Sequence, residues 1–392
     1  MMITSCCVVS FMVEFAPYPN FDPRLFQVIV KKQQFSYAAA QKANNSLMVR
    51  DMKSINLALQ GGGAHGAFTW GVLDRLIDCE DLEIAAISGT SAGALNGAAY
   101  KAGWITDGRD GARENLDWLW GQIMGVRADG FSEWLTPFSP AALSKSIEYS
   151  LSYMIGETWS RMVSPYAWGP LYSNPLEPIV REFSYECVCA EEGPELHICA
   201  TRVRNGKIRV FSGKEISANA IMASACLPTL FRAIEMHDSE TGRMEAFWDG
   251  GYTGNPALYP LFKDHLPDDI AIVNINPLER DAVPVTPQQI QNRINEISFN
   301  SSLLRELRAI DFVQRLLDDG TLSGDRMARV LVHMIADDDL MNDLSVATKT
   351  VPNARLILEL KEAGRAAAHA FLDTHFDDIG TSSTVDLRAM FD

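Results

Sequence analysis

The chain has 392 residues, 47 % of them hydrophobic and 21 % charged, which is enough apolar length for one large domain or two ordinary ones and excludes a wholly disordered protein. Its 34 Lys and Arg against 50 Asp and Glu leave a formal net charge of −16, which opposes general electrostatic binding to nucleic acid and to anionic bilayers, so membrane contact has to be apolar and local. The seven cysteines, at 6, 7, 79, 187, 189, 199 and 226, form no C-x-x-C pair and have no histidine at metal-ligand spacing, so they read as reduced, mostly buried thiols, and no metal or cofactor is expected.

Residues 1–53 show no sustained hydrophobic period and read as an extension outside the core. Residues 1–13 are apolar but lack a basic n-region and a clear cleavage site, and no window reaches the roughly 18 uncharged apolar residues of a membrane span. The regular part opens with an alternating strand at 55–59 that runs into Gln60-Gly61-Gly62-Gly63-Ala64-His65-Gly66. Apolar residues at Phe68, Val72, Leu73, Leu76 and Ile77 then predict an amphipathic helix. A second unit of the same kind follows: an apolar run at 84–87, the turn Gly89-Thr90-Ser91-Ala92-Gly93, and an alanine-rich helical stretch to 103. Two consecutive strand, glycine-rich loop, helix units predict an α/β fold with a mostly parallel central sheet flanked by helices, and place the site at the carboxyl ends of its strands.

Six of the eight tryptophans fall between 104 and 168, at 104, 118, 120, 134, 159 and 168. They read either as a cap or lid insertion over 104–170 that receives acyl chains, or as the filling of a helical core. Further on, 196–203 and 208–211 form a hairpin around Asn205-Gly206, whose residues supply positive φ, and a short helix at 216–226 ends at Leu227-Pro228. Phe247-Trp248-Asp249-Gly250-Gly251 is a loop with close backbone approach, and 270–275 is a strand. From 285 to 392 the texture is helical, with stripes at Leu303, Leu307, Ile310, Val313 and Leu317 and at Leu356, Leu360, Ala363, Ala367 and Phe371, and a last strand at 330–335. The organisation expected is an extension over 1–53, an α/β catalytic domain over 54–284 and a mainly helical region over 285–392.

The chemistry concentrates in three loops. Gly89-Thr90-Ser91-Ala92-Gly93 fits the G-x-S-x-G elbow, in which a serine on a sharp strand-to-helix turn needs glycines at minus two and plus two. Gly61, Gly62, Gly63 and Gly66 can aim backbone N–H groups at a developing oxyanion. The base for Ser91 is either Asp249, whose carboxylate needs a dry site to become basic, or a histidine, of which only His65 lies in a loop already implicated. Cys226 reads as a buried thiol rather than a nucleophile. A competing reading takes Gly61-x-Gly63-x-x-Gly66 as a dinucleotide fingerprint with Glu83 as the ribose-binding acid.

The sequence resembles the patatin-like phospholipases. Gly61 to Gly66 is similar to their oxyanion loop, Gly89 to Gly93 to their nucleophile elbow, Asp249-Gly250-Gly251 to their D-G-A/G motif, and Ala223-Ser224-Ala225-Cys226-Leu227-Pro228 to a further family block, in family order over about 55–265. The stretch from Asp249 to Leu258 looks like a bacterial subgroup. The resemblance implies a three-layer α/β/α fold and a Ser91–Asp249 dyad that hydrolyses lipid acyl esters through an acyl-enzyme, as a phospholipase A or related lipid acyl hydrolase, without histidine, metal or cofactor. His65 departs from it, standing where many members carry Arg or Lys, so a fixed positive charge beside the oxyanion loop is not implied. The partners implied are lipid substrate and, transiently, a membrane or lipid surface, with no nucleic acid and no set oligomeric state. A cytoplasmic protein, peripheral at membranes, is expected, and the apolar start leaves secretion open. A non-catalytic lipid-binding protein of the same fold is the alternative.

Overall fold

A computed structural model describes residues 52–125, 164–280, 283–323 and 327–391. The first two strands, Lys53–Leu59 (β1) and Leu82–Thr90 (β2), lie parallel, joined through the helix Gly66–Ile77 (α1). The helix Ala92–Gly125 (α2), broken at Asp107 and Gly108, leads away from β2. After two short helices, Glu177–Arg181 (α3) and Tyr185–Val188 (α4), come the strands Glu195–Arg202 (β3) and Ile208–Ser212 (β4) and the helix Ala218–Ser224 (α5). The strands Ile234–Asp238 (β5), Arg243–Asp249 (β6) and Asp269–Asn274 (β7) follow, then the helix Pro287–Asp318 (α6) and the strand Leu331–Ala336 (β8). The helices Asp338–Asp343 (α7), Val346–Thr350 (α8), Ala354–His375 (α9) and Leu387–Phe391 (α10) complete the described chain.

The sheet is mixed, in the order β5-β6-β3-β2-β1-β7-β8 with β4 also paired to β3. Strands β3, β2, β1, β7 and β8 run parallel, and β4, β6 and β5 are antiparallel additions on the β3 side. The parallel strands read as continuous apolar runs because both faces are covered, and all six residues of β7 are buried. With helices on the faces the fold is the expected three-layer α/β/α arrangement. Residues 285–392 are built into this same unit: β8 extends the sheet beside β7, and α9 packs on α1. The extension expected at 1–53 lies, up to Asp51, outside the described residues.

Two readings change. The hairpin β5–β6 carries charged residues along both strands, which hid its alternation. It is pinned by Asp238, which accepts from Arg202 Nε at 2.7 Å and Arg209 Nε at 2.9 Å. Of the tryptophans read either as a cap or as the filling of a helical core, Trp104, Trp118 and Trp120 lie on α2 and pack inward. Trp120 stacks on Trp70 at 5.9 Å and donates its Nε1–H to Asn96 Oδ1, Trp104 stacks on Tyr100 at 5.7 Å, and Trp118 meets Phe183 edge-on. Trp134, Trp159 and the side chain of Trp168 lie outside what is described. Among the described residues no helix is long and apolar enough to cross a membrane.

The α1–α9 crossing depends on two glycines. A Cβ at Gly71 would lie 1.8 Å from Lys361 O, and one at Gly364 would lie 2.0 Å from Phe68 O, so each helix presses bare backbone against the other. Gly364→Ala is therefore expected to destabilise by about 1–3 kcal/mol through overpacking, against the ~1 kcal/mol that alanine gains over glycine within a helix. Urea denaturation measures this, and an unchanged or raised midpoint would contradict the packing argument.

Candidate active site

Ser91 ends β2 and opens α2 with φ 54°, and it is the one non-glycine residue at positive φ among those described. That conformation costs an L-residue roughly 1–2 kcal/mol, so the surroundings must hold it. A Cβ at Gly89 would sit 2.6 Å from Gly93 O, and one at Gly93 would sit 2.1 Å from Leu59 O, so the bend closes only with glycine at both places. The Ser91 N–H donates to Ser224 Oγ at 2.9 Å, and the Ser91 carbonyl accepts from Leu95 N–H at 3.1 Å as α2 begins. Ser224, fully buried at the end of α5, thus acquires a role that its place in the Ala223–Pro228 block did not disclose.

Strand register brings Asp249 level with the serine. Thr90 pairs with Cys199 and Ala200 with Asp249, so consecutive residues of β3 hold the end of β2 and the end of β6, and Ser91 and Asp249 come together where the two strands end. The Asp249 backbone is tied by its N–H to Cys226 O at 2.8 Å and by Thr201 Oγ1, which donates to Asp249 O at 2.8 Å. Its side chain is buried: Oδ1 accepts from Gly251 N–H at 2.8 Å, and Oδ2 makes no formed hydrogen bond. Burial pushes the carboxyl up to about 7, opposed only in part by the Gly251 N–H and the Ser91 hydroxyl. The serine hydroxyl therefore bears on the carboxylate, but more loosely than a well-formed hydrogen bond, as catalytic contacts often are before substrate arrives. Gly250 lets the chain leave the sheet across Cys199, where a Cβ would lie 2.2 Å from the Cys199 carbonyl, and Gly251 leaves room for Asp249 Oδ1 and Phe299.

The glycine loop meets the elbow from β1. A Cβ at Gly61 would lie 2.7 Å from Ser91 Cβ, so this glycine gives the two loops their contact. The four glycines expected to supply oxyanion donors divide into two kinds. Gly61 N–H is donated to Asn255 Oδ1 at 2.7 Å, and Gly66 N–H is turned back on Gly63 O and Ala64 O, so neither amide is free for an oxyanion. Gly62 and Gly63 N–H have no hydrogen-bond partner among the described residues. Gly63 needs its φ of +57°, and a Cβ there would lie 2.3 Å from Lys349 O. Asn255, unassigned in the sequence, is fully buried, and its Nδ2 has no partner.

No histidine hydrogen-bonds or ion-pairs with Ser91 or Asp249 among the described residues. His65 faces the C-terminal region, with Nε2 2.7 Å from Thr348 Oγ1. Because the Thr348 hydroxyl donates to Ser345 O, it accepts from His65 Nε2–H, leaving Nδ1 unprotonated, buried and without a partner. Burial, with Lys349 and Arg280 adding to it, holds His65 well below the usual range of protonation. Cys226 is a buried thiol that donates to Arg232 O, and burial pushes it up to about 12. The dinucleotide reading also fails on geometry. Glu83 pairs with Ser54 at the amino ends of β1 and β2, whereas the glycine loop leaves the carboxyl end of β1.

The fold is an α/β architecture in which a glycine loop, a glycine-bracketed serine turn and an acidic loop converge at one end of the sheet. The model of the family described as patatin-like phospholipase matches residues 57–262, just over half of the chain, and the chain belongs to that family of lipid hydrolases. Among solved structures, VipD from Legionella pneumophila is similar at 16 % identity and TM-score 0.37, over 82 % of this chain and 67 % of that one. A chain of the ExoU–SpcU complex from the type III secretion system of Pseudomonas aeruginosa is similar at 13 % identity and TM-score 0.34, over 83 % of this chain and 52 % of that one. No curated protein sequence matches the chain.

Asp249 has a measurable consequence for stability. Its carboxyl titrates near 7 in the fold against about 3.9 in an unfolded chain, so between these values the native state binds more protons and stability falls as pH rises. Asp249→Asn keeps the oxygen that accepts from Gly251 and removes the buried charge. The variant is expected to melt higher than wild type at pH 8, by roughly 2–4 kcal/mol of stability, and to match it near pH 4. A lower melting temperature for the variant at pH 8 would show that the carboxylate is solvated or paired.

Proposed function

We propose that the protein is a serine lipid acyl hydrolase working through a Ser91–Asp249 dyad. The observation that carries this is Asp249 itself: a buried carboxylate with an unsatisfied oxygen, acted on by the hydroxyl of a serine held at an elbow, with its pKa raised by burial to about 7. A carboxylate in water is too weak a base for serine, whereas one held near neutrality has proton affinity suited to the task. Asp249 accepts the Ser91 proton as Oγ attacks the ester carbonyl, and Gly62 and Gly63 N–H hold the oxyanion. The tetrahedral species collapses with transfer of that proton to the leaving alcohol. Water then attacks the acyl-serine, giving its proton to Asp249, which passes it to Ser91 Oγ as the C–O bond breaks, releasing the fatty acid and restoring the Ser91 hydroxyl and the Asp249 carboxylate. Family membership supports a lipid ester as substrate, with a phospholipid acyl chain as the first choice, met at a membrane or lipid surface.

The test is hydrolysis of a p-nitrophenyl acyl ester together with labelling by a fluorophosphonate. Wild type should do both, Ser91→Ala neither, and Asp249→Asn should lose at least about a hundredfold in kcat. Because Asp249 must be ionised to act, kcat/KM should rise with pH through about 7. Equal labelling of Ser91→Ala would remove the nucleophile assignment, and an Asp249→Asn variant with near-full activity would remove the base. A pure fold without turnover, the lipid-binding alternative, would show neither hydrolysis nor labelling. Product analysis from a mixed pool of phospholipids and neutral lipids then identifies the substrate class.

A further inference from the structure

Behind the glycine loop lies a run of hydrogen bonds that ends at one of the two free amides. Lys349 Nζ donates to Asn276 Oδ1 at 2.7 Å. Asn276 Nδ2 donates to Gly61 O at 2.8 Å and also to Gln60 Oε1 at 3.0 Å. The orientation of the Asn276 amide is fixed from both ends, because an ammonium only donates and a carbonyl only accepts. Gly61 O belongs to the same peptide group as Gly62 N–H, which has no partner among the described residues and directly follows the glycine that meets Ser91. An ammonium, a side-chain amide and a backbone amide are thus aligned head to tail, donor to acceptor, with the last N–H at the open end.

We propose that Lys349 is a positioning residue for the oxyanion hole, its positive charge strengthening Gly62 N–H as a donor through Asn276 and the Gly61–Gly62 peptide. The proposal rests on the serine hydrolase reading given above. Amides conduct polarisation well: drawing electron density toward a carbonyl oxygen makes the N–H of the same group a better donor, by an estimated 10–30 % per bond in such chains. The relay is also rigid. Asn276 and Gln60 are fully buried, and Gln60 Oε1 also accepts from the backbone N–H of Ile275 at 2.9 Å and of Asn276 at 3.1 Å. Lys349 holds the loop a second time through its main chain, since its carbonyl occupies the place beside Gly63 that a Cβ would need.

The charge is not cancelled where it stands. The nearby carboxylate is Glu296, on α6, but Arg280 grips it with Nε at 2.8 Å and Nη2 at 2.7 Å, and Arg293 adds a contact at 3.3 Å. Its negative charge is therefore matched before Lys349 is counted. His65, the other titratable group near Lys349, is neutral. Part of the Lys349 side chain remains accessible, yet the protein around its ammonium is dense enough that burial pushes the group down to about 8, with Glu296 opposing the fall and Arg280 adding to it. Lys349 and Asn276 both lie outside 57–262, so this support comes from a part of the chain that the family model does not cover.

The experiment compares wild type with Lys349→Gln, Lys349→Met and Lys349→Arg in the full chain, measuring kcat, KM, pH profile, melting temperature and fluorophosphonate labelling. Glutamine keeps a donor for Asn276 but has no charge, so it separates the relay from simple propping of the loop and serves if the methionine variant does not fold. The expected result is a loss of about tenfold in kcat for Gln and Met, short of the ~10²–10³ for deleting an oxyanion donor, with KM within about twofold. Arg should recover most of the loss. Wild-type kcat should decline above about pH 8 as the ammonium loses its proton, and this decline should vanish in Gln. A Gln variant with wild-type kcat and an unchanged alkaline limb overturns the relay while leaving the hydrolase reading intact. Absence of turnover and labelling in wild type removes both together.

Discussion

Asp249 is a carboxylate taken out of water without a cation beside it among the described residues, and much of the local arrangement follows from that. Ordinarily such burial is resolved by a salt bridge or by protonation. Here the groups that oppose the rise in pKa are one backbone N–H and one serine hydroxyl, both neutral. A lysine or arginine in their place would restore the charge cheaply and leave a poor base. The fold instead ties the aspartate by its backbone, through Cys226 O and Thr201, so that the side chain stays in its dry position without a counter-ion. Cys226 and Tyr252, both pushed up to about 12 by burial and by Asp249, belong to the same desolvated neighbourhood and stay neutral.

The second constraint is steric. The glycine loop, the serine turn and the acidic loop each make a close contact that a Cβ would block: Gly61 against Ser91, Gly93 against Leu59 and Gly250 against Cys199. Such close backbone contact leaves polar groups in need of partners, and the structure supplies them from side chains. Ser224 takes the Ser91 N–H and Asn255 takes the Gly61 N–H. Removing Gly61 and Gly66 from the candidate oxyanion donors sharpens the site, because only Gly62 and Gly63 then combine position with a free amide. The Nδ2 of Asn255 is a buried donor without a partner among the described residues.

What could be read in the sequence was local. The strand, glycine loop and helix units around Gly61 and Ser91 announce themselves because the strand signal, the glycines and the helical period lie within about twenty consecutive residues of each other. Asp249 was legible for a similar reason, flanked by apolar rings before it and glycines after. The β5–β6 hairpin was not, since β6 puts the charged Glu245 and Asp249 on its buried side, and its anchoring arginines lie some thirty residues upstream. Tryptophan content left two readings open: composition reports how much aromatic surface must be covered but not in which direction it points, and α2 turns Trp104, Trp118 and Trp120 inward. Nothing in the sequence joins Gln60 to Asn276 or Lys349. Each is a common polar residue, separated from its partner by far more chain than any periodic signal spans, and only the sheet order that places β7 beside β1 brings them together.

That order also explains why the C-terminal third matters to a site whose named motifs all precede it. β7 borders β1 on the side away from β2, so the chain leaving its carboxyl end necessarily passes behind the glycine loop. Whatever follows β7 must either leave the back of that loop open to water or cover it, and open amides there would be solvated and loose. Asn276 and Asn300 cover it from the end of β7 and from α6, and α8 closes it with Thr348 on His65 and Lys349 on Asn276. His65 is then neutral for a positional reason. Burial is the larger cause, and a protonated imidazole would also place a third cation beside Lys349 and Arg280, where Glu296 is already held by Arg280 and Arg293.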